Sequence, residues 1–213
     1  MPVLSTMNLS LQYEVYGSEN CETLLLIQGL GMQLTDWPEP LIAALASQFR
    51  VVVFDNRDVG LSARIVPPAG FEAVYASHQM FDAPRDYRAY TLYDMAADAL
   101  GVMNALSIGQ FHVLGFSMGG MIAQVLTALH PDRVVSLVSL MSSGGEAEMI
   151  STPAALEKMN LSARHFTADK AVDLLIAGCE VYAGSYAPLN PEAVRRWAES
   201  SVKRSYCPEG IYR

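Results

Sequence analysis

Cysteine, positive charge and long apolar runs are all scarce in this sequence, and each shortage excludes a class of protein. The three cysteines of the 213 residues are odd in number and widely spaced, which argues against a disulfide framework and suits a reducing compartment. The 14 Lys and Arg residues are outnumbered by 22 Asp and Glu, so the net charge is −8 and a nucleic-acid partner is not expected. No stretch approaches the ~20 apolar residues of a membrane span, and the first residues lack the basic and apolar regions of a signal peptide. We therefore expect a soluble, cytoplasmic protein with no membrane partner.

What the sequence does contain is a well-buried core, since 51% of the residues are hydrophobic and only 17% are charged. Alternating apolar residues from Leu9 to Val15 predict a strand with one wet face, at or near a sheet edge. Later runs are short, continuously apolar and rich in β-branched residues, as in central parallel strands buried on both faces. These runs are Thr23–Gln28, Val51–Asp55, Phe111–Phe116 and Val134–Met141.

Helical patterns fall between the predicted strands. Apolar residues recur every four positions from Trp37 to Phe49, and Met118–Leu129 predicts a helix that His130 and Pro131 end. Thr91 followed by Asp94 is typical of a helix N-terminal cap, and an apolar helical stripe continues to Leu106. Strand–helix alternation predicts an α/β fold with a mostly parallel central sheet and helices on both faces.

The alternation stops after Gly145, which divides the chain into two predicted parts. Residues 1–148 are expected to form the N-terminal part of an α/β core, and residues 149–213 a helical cap or lid. The cap is predicted to contain helices around Pro153–Arg164, Asp169–Ala183 and Pro191–Lys203, with no further buried strand. A long connection, Asn56–Tyr90, is of a length that is usually functional or lid-like.

The strongest functional signal is the pentapeptide Gly115-Phe116-Ser117-Met118-Gly119, which fits the G-x-S-x-G pattern of a nucleophile elbow. The pattern lies between an apolar strand and a helix, as the motif requires. Small residues at Gly115 and Gly119 let strand and helix approach, and the sharp turn presents the serine hydroxyl at the helix N-terminus. Ser117 is therefore the predicted catalytic nucleophile.

A second signal is the loop Gln28-Gly29-Leu30-Gly31, which directly follows the first apolar run. An elbow of this kind stabilises an oxyanion with two main-chain N–H groups, one after the nucleophile and one from such a loop. By position, the predicted donors are the N–H groups of Leu30 and Met118, and Gly29 is the predicted loop glycine. No metal ligand is predicted.

The order of these motifs resembles the α/β-hydrolase superfamily. QGLG is followed by VVVFDNRDVGLS, a T-x-x-D-capped helix, VLGFSMGGMIAQ and HPDRV, and the stretch Asp55–Ser62 most resembles the branch of aclacinomycin-methylesterase-like hydrolases. The similarity covers about residues 9–145 closely and the cap more loosely. It implies a carboxylic ester hydrolase that uses a Ser–His–acid triad on a small-molecule ester, without metal or organic cofactor. Family patterns often have His at the position of Gln28, whose side chain can still hydrogen-bond within the loop.

The family order places the acid after a seventh strand and the histidine after an eighth, and neither has a counterpart before Arg213. The resemblance therefore implies a C-terminally truncated fold, in which the last two strands are absent. Among the histidines present, His112 and His130 lie too far along the strand and the helix to reach Ser117. His78 and His165 are weak candidates for the base.

The acidic member of the triad is marked even less clearly in the sequence than the histidine. The turn after Val134–Met141 contains no Asp, and Asp55 and Asp58, which flank Arg57, are interpreted as turn and ion-pair residues that hold their loop.

The sequence is also compatible with functions other than ester hydrolysis. The alternatives to an esterase are a non-catalytic relative that keeps the elbow as structure, or another reaction of the superfamily: C–C bond hydrolysis, haloperoxidase-like chemistry or lipase activity.

Without two further strands, the run Val134–Met141 is expected to form an exposed apolar sheet edge. The sequence therefore predicts a homo-oligomer, formed through this edge or by exchange of the cap.

Overall fold

Three consecutive strands are followed by alternating helices and strands up to Leu140 in the computed structural model, which describes residues 3–5, 9–17, 22–71, 88–145, 152–155, 157, 167–183 and 188–211. The strands are β1 (Val3–Ser5), β2 (Ser10–Tyr16), β3 (Thr23–Ile27), β4 (Arg50–Phe54), β5 (Phe111–Phe116) and β6 (Val134–Leu140). The α-helices are α1 (Glu39–Ala46), α2 (Leu92–Ala105), α3 (Met118–Leu129), α4 (Ala168–Tyr182) and α5 (Pro191–Arg204). Short 3₁₀ helices cover Leu34–Asp36 and Pro208–Ile211.

The strands form one sheet in the order β1-β2-β4-β3-β5-β6. Strands β4, β3, β5 and β6 are parallel neighbours, whereas β2 pairs antiparallel with both β1 and β4. The carboxyl ends of β3, β4 and β5 therefore meet at the same edge of the sheet, where parallel α/β folds place their functional groups. This arrangement confirms the expected α/β fold with a mostly parallel sheet.

Both faces of the central strands are buried, which explains their continuous apolar sequences. Leu25, Val52 and Val113 point into a core formed with α2 and α3. Their neighbours in the chain, including Leu24 and Leu114, belong to a second core with Trp37 and α1. Since successive side chains of a strand point to opposite faces, a helix layer on each side requires every position to be apolar.

The local predictions hold, with three differences, the first of which is that β6 is exposed at every residue after Val134, whereas its apolar sequence predicted burial on both faces. Thr91 and Asp94 form the expected capping box: each supplies a side-chain acceptor for the other's backbone N–H. The hydrogen bond from the Thr91 side chain lowers the pKa of Asp94 below its ordinary value. Helix α1 is shorter than the pattern from Trp37 to Phe49, because it begins only after Pro38. Strand β1 was not predicted, because three residues are too few to show a period.

The chain divides into two compact units, one formed by Met1–Arg64 with Tyr90–Glu146 and the other by Ile65–Ala89 with Ala147–Arg213. In the second unit α4 and α5 pack together, and their bounds agree with two of the predicted helices. Most of the third, predicted around Pro153–Arg164, lies outside the described residues. No helix among the described residues has both the length and the apolarity needed to cross a membrane.

Candidate functional site

The elbow at Ser117 lies between β5 and α3, in the strand–turn–helix setting that the sequence predicts. Ser117 is the residue before the first turn of α3, and its backbone angles are φ 54 and ψ −122. These angles mirror those of a type II turn, a conformation that favours glycine, so a serine here is strained. The Ser117 N–H donates to the carbonyl oxygen of Leu140 at 2.8 Å, which ties the elbow to β6.

The two elbow glycines stand where no side chain fits. A Cβ atom on Gly115 would lie 2.1 Å from the carbonyl oxygen of Gly119, and one on Gly119 would lie 2.1 Å from that of Ile27. Both obstacles are backbone atoms, which a rotamer change cannot relieve. Glycine at these positions thus allows α3 to approach both β5 and the end of β3.

The loop after β3 lies directly against the elbow. A Cβ atom on Gly29 would be 3.2 Å from the Cβ atom of Ser117. The loop is held internally: the Gly29 N–H donates to Oε1 of Gln28 at 3.3 Å, and the Met32 N–H donates to the carbonyl of Gly29 at 3.2 Å. The predicted hydrogen bond of the Gln28 side chain within the loop is confirmed.

The main-chain N–H groups of Leu30 and Met118 have no hydrogen-bond acceptor within the described part of the chain. Two neighbouring groups are paired: the Ser117 N–H donates to the carbonyl oxygen of Leu140 and the Gly120 N–H to that of Ser117. Unpaired N–H groups at a helix start and in an adjacent loop are suited to receive negative charge.

The loop that follows β4 is held by side chains, but not by the ion pair that the sequence suggests. Arg57 pairs with Asp98 on α2, at 2.6 Å from its Nε and 2.8 Å from its Nη2, instead of with the flanking Asp55 or Asp58. Its guanidinium also lies 5.0 Å from the centre of the Tyr90 ring. Burial raises the pKa of the Asp98 carboxyl, and the hydrogen bond from Arg57 opposes that shift. Asp98 was not found from the sequence, because it is 41 residues away and no local pattern marks it.

The histidines that the structure describes are not at the elbow. His112 is on β5 beside the start of β3, with Nδ1 2.7 Å from Oγ of Ser136 and Nε2 3.3 Å from Oε2 of Glu22. It lies five residues before Ser117, roughly 16 Å along the strand. His130 ends α3, as predicted, and its carbonyl accepts the N–H of Arg133 at 3.0 Å. The two weak candidates for the base, His78 and His165, lie outside the described residues.

Two other kinds of reactive group were considered among the described residues, namely clusters of metal ligands and the thiol of Cys179. No group of three or more His, Cys, Asp or Glu side chains there could hold a metal ion. Cys179 is partly buried on α4, and this burial raises the pKa of its thiol, which disfavours the nucleophilic thiolate.

Comparison with known proteins gives the family context of this site. The sequence model of the family described as alpha/beta hydrolase fold matches residues 22–170. A protein of Variovorax paradoxus named "Putative carbamate hydrolase RutD" is 32% identical over 130 residues. That match covers 61% of this chain and 41% of the relative, so the chain spans less than half the length of this relative.

Solved structures share the same fold. A hydrolase from Pseudomonas aeruginosa PA01 superposes with a TM-score of 0.68 at 22% identity, covering 99% of this chain and 69% of that chain. The enol-lactonase from Burkholderia xenovorans LB400 gives a TM-score of 0.59 at 24% identity, covering 99% of this chain and 72% of that chain.

Proposed function

The chain belongs to the α/β-hydrolase fold family, and from this premise we propose that it is a serine hydrolase acting on carboxylic esters, with Ser117 as its nucleophile. The observation that carries the proposal is the strained serine at the N-terminus of α3, beside two main-chain N–H groups for which the described residues offer no acceptor. Strain at a single non-glycine residue is retained when the surrounding structure enforces it, and such residues cluster at active sites.

In the proposed mechanism, the Ser117 oxygen attacks the ester carbonyl carbon and forms a tetrahedral intermediate. The N–H groups of Leu30 and Met118 bind the oxyanion, which carries the charge that develops in the transition state. Collapse of the intermediate expels the alcohol and leaves an acyl group on Ser117, and water then releases the acid.

The proposed reaction also needs a general base to accept the Ser117 proton. Neither His112 nor His130 lies at the elbow, so we place the base outside the described residues. Loss of such a base typically costs 10²–10⁴-fold in rate, which makes its contribution measurable.

The proposed mechanism requires a substrate with a carbonyl group that Ser117 can attack. Esters, lactones and carbamates all contain a carbonyl group that becomes an oxyanion under attack. One relative is named for carbamates, and one structural neighbour is named for an enol-lactone. We propose a small carboxylic ester as substrate and no metal or organic cofactor. A panel of p-nitrophenyl esters, lactones and carbamates would rank these classes by kcat/KM.

The main prediction is that a fluorophosphonate probe labels the folded chain at Ser117 and at no other serine. The reason is that the phosphonyl oxygen mimics the oxyanion and needs the two N–H donors as well as the hydroxyl. Peptide mapping by mass spectrometry after labelling identifies the modified residue.

Heat-denatured chain is the control for this labelling, because an unfolded elbow presents no oxyanion site. Modification of a different serine would contradict the assignment of the nucleophile. An unlabelled wild-type chain would contradict the enzymatic proposal and favour a non-catalytic relative that keeps the elbow as structure.

We further propose that the 213-residue chain forms a homo-oligomer through β6. Strand β6 is the last of the sheet and bears no charge or proline that would protect an open edge. Its apolar side chains are exposed, with Val135 at 56%, Val138 at 43% and Leu140 at 42%. A two-fold axis would place β6 antiparallel to its own copy, so each edge meets an identical one.

Sedimentation at micromolar concentration is expected to show a dimer that Val138→Lys dissociates, because the change places a charge within the proposed interface. The matched control is Val3→Lys, a similarly exposed valine on β1 at the opposite end of the strand order, which should leave the dimer intact. A monomeric wild type would contradict self-association. A dimer that survives Val138→Lys would contradict pairing through β6 and favour cap exchange.

A further inference from the structure

The loop that carries the Leu30 N–H is held at both ends by two consecutive residues that directly follow the neighbouring strand β4. The carboxyl of Asp55, just beyond β4, accepts the Leu34 N–H at 2.7 Å through Oδ1. The side chain of Asn56 donates from Nδ2 to the carbonyl of Gln28 at 3.1 Å. Leu30 lies between these two attachment points, so its position relative to Ser117 depends on both.

Asp55 is itself fixed by contacts that do not involve this loop. Its side chain is fully buried, and its second carboxyl oxygen accepts the Leu61 N–H at 2.9 Å. Its own N–H donates to the carbonyl of Gln12 on β2 at 2.9 Å, and its carbonyl accepts the Ser62 hydroxyl at 2.6 Å. The loop is thus attached to a rigid part of the sheet.

We infer that Asp55 and Asn56 are positioning residues, which hold the Leu30 N–H where the oxyanion forms. The inference rests on the proposed function, and neither side chain is given contact with the substrate. A main-chain donor cannot be oriented by its own side chain, so its direction must come from what holds the loop. Misplacement of a catalytic group by about 1 Å can cost 10²-fold in rate.

Replacing either residue should loosen this attachment. In Asp55→Asn one accepting oxygen becomes an NH₂ group, which then faces an N–H donor at a buried site. In Asn56→Ala the hydrogen bond to the Gln28 carbonyl is lost, but no two donors are brought face to face. This variant is therefore expected to be the milder one. We expect the first-order step of fluorophosphonate labelling to slow by about 10²-fold in Asp55→Asn and about 10-fold in Asn56→Ala, with little change in probe affinity.

The matched control is Asn104→Ala, which also removes an asparagine side chain but loses only its hydrogen bond from Arg133, outside the loops after β3 and β4. This variant should label at a rate close to that of the wild type. If both loop variants fold and label as fast as the wild type, the positioning role is wrong while the nucleophile assignment stands. If Asp55→Asn does not fold, Asn56→Ala decides the question.

Hydrogen exchange gives a readout that does not require activity. The hydrogen-bonded amides of Gly29, Met32 and Leu34 should exchange at least about 10-fold faster in Asn56→Ala, because the loop opens locally, while those of β5 keep their wild-type protection. Unchanged exchange of these three amides would overturn the inference even if the wild-type chain labels no serine.

Discussion

Replacing Ser117 with glycine is expected to abolish fluorophosphonate labelling and, relative to alanine, to make the fold more stable. Both changes remove the only proposed nucleophile, so both variants should be unlabelled. They differ in backbone strain: φ 54 with ψ −122 suits glycine but not a residue with a Cβ atom.

The size of this stability difference can be estimated. Strain of this kind costs about 1–3 kcal/mol, and the greater freedom of glycine in the unfolded chain offsets about 0.4–1 kcal/mol of it. The free energy of unfolding of Ser117→Gly should therefore exceed that of Ser117→Ala by about 1 kcal/mol. This difference corresponds to roughly 2–4 °C in Tm for a chain of this size.

Thermal unfolding of the two variants, with labelling measured in parallel, checks both statements. A glycine variant no more stable than the alanine variant would mean that Ser117 is not strained. Persistent labelling of either variant at its former rate would remove Ser117 as the nucleophile. Since the two variants lack the same hydroxyl, any difference between them reports the backbone alone.

The second large effect is expected at Gly119, where alanine should both destabilise the fold and stop labelling. Its Cβ atom would meet the Ile27 carbonyl oxygen at 2.1 Å, so α3 would have to move away from β3. Overpacking typically costs about 1–3 kcal/mol and occasionally more, and because the obstacle is backbone we expect a cost of about 3 kcal/mol for this change. The same displacement would separate Ser117 from the loop that carries Leu30.

Gly109→Ala is the matched control, because a Cβ atom there has no neighbour within 4 Å. This variant should be neutral or more stable by about 0.4–1 kcal/mol, since alanine restricts the unfolded chain. Urea unfolding of the two variants measures the contrast. Equal stability of Gly119→Ala and Gly109→Ala would show that the close approach of α3 to β3 is not required.

The local sequence was sufficient for most elements of the α/β unit. Strands buried on both faces carry continuous apolar runs, and a helix cap such as that of Thr91 depends on residues three apart, so both leave a signal within a few positions. The positions proposed for the site were found in the same way, because the geometry of the elbow constrains the residues on either side of Ser117. The setting of that elbow between β5 and α3 is confirmed, whereas its chemistry stays a prediction.

Contacts between distant residues became evident only from the packing of the folded chain. The order β4-β3-β5 places the end of β4 beside the loop after β3, so that Asp55 holds Leu34 across 21 residues. The same sheet brings Gly119 against Ile27 and places β6 last in the order of the described strands, and the packing of α2 gives Arg57 its partner Asp98. Such contacts depend on how strands pair, and pairing between strands far apart in the chain leaves no periodic signal in either one. Local sequence patterns therefore account for most of the elements and for the elbow, whereas packing accounts for what holds them in place.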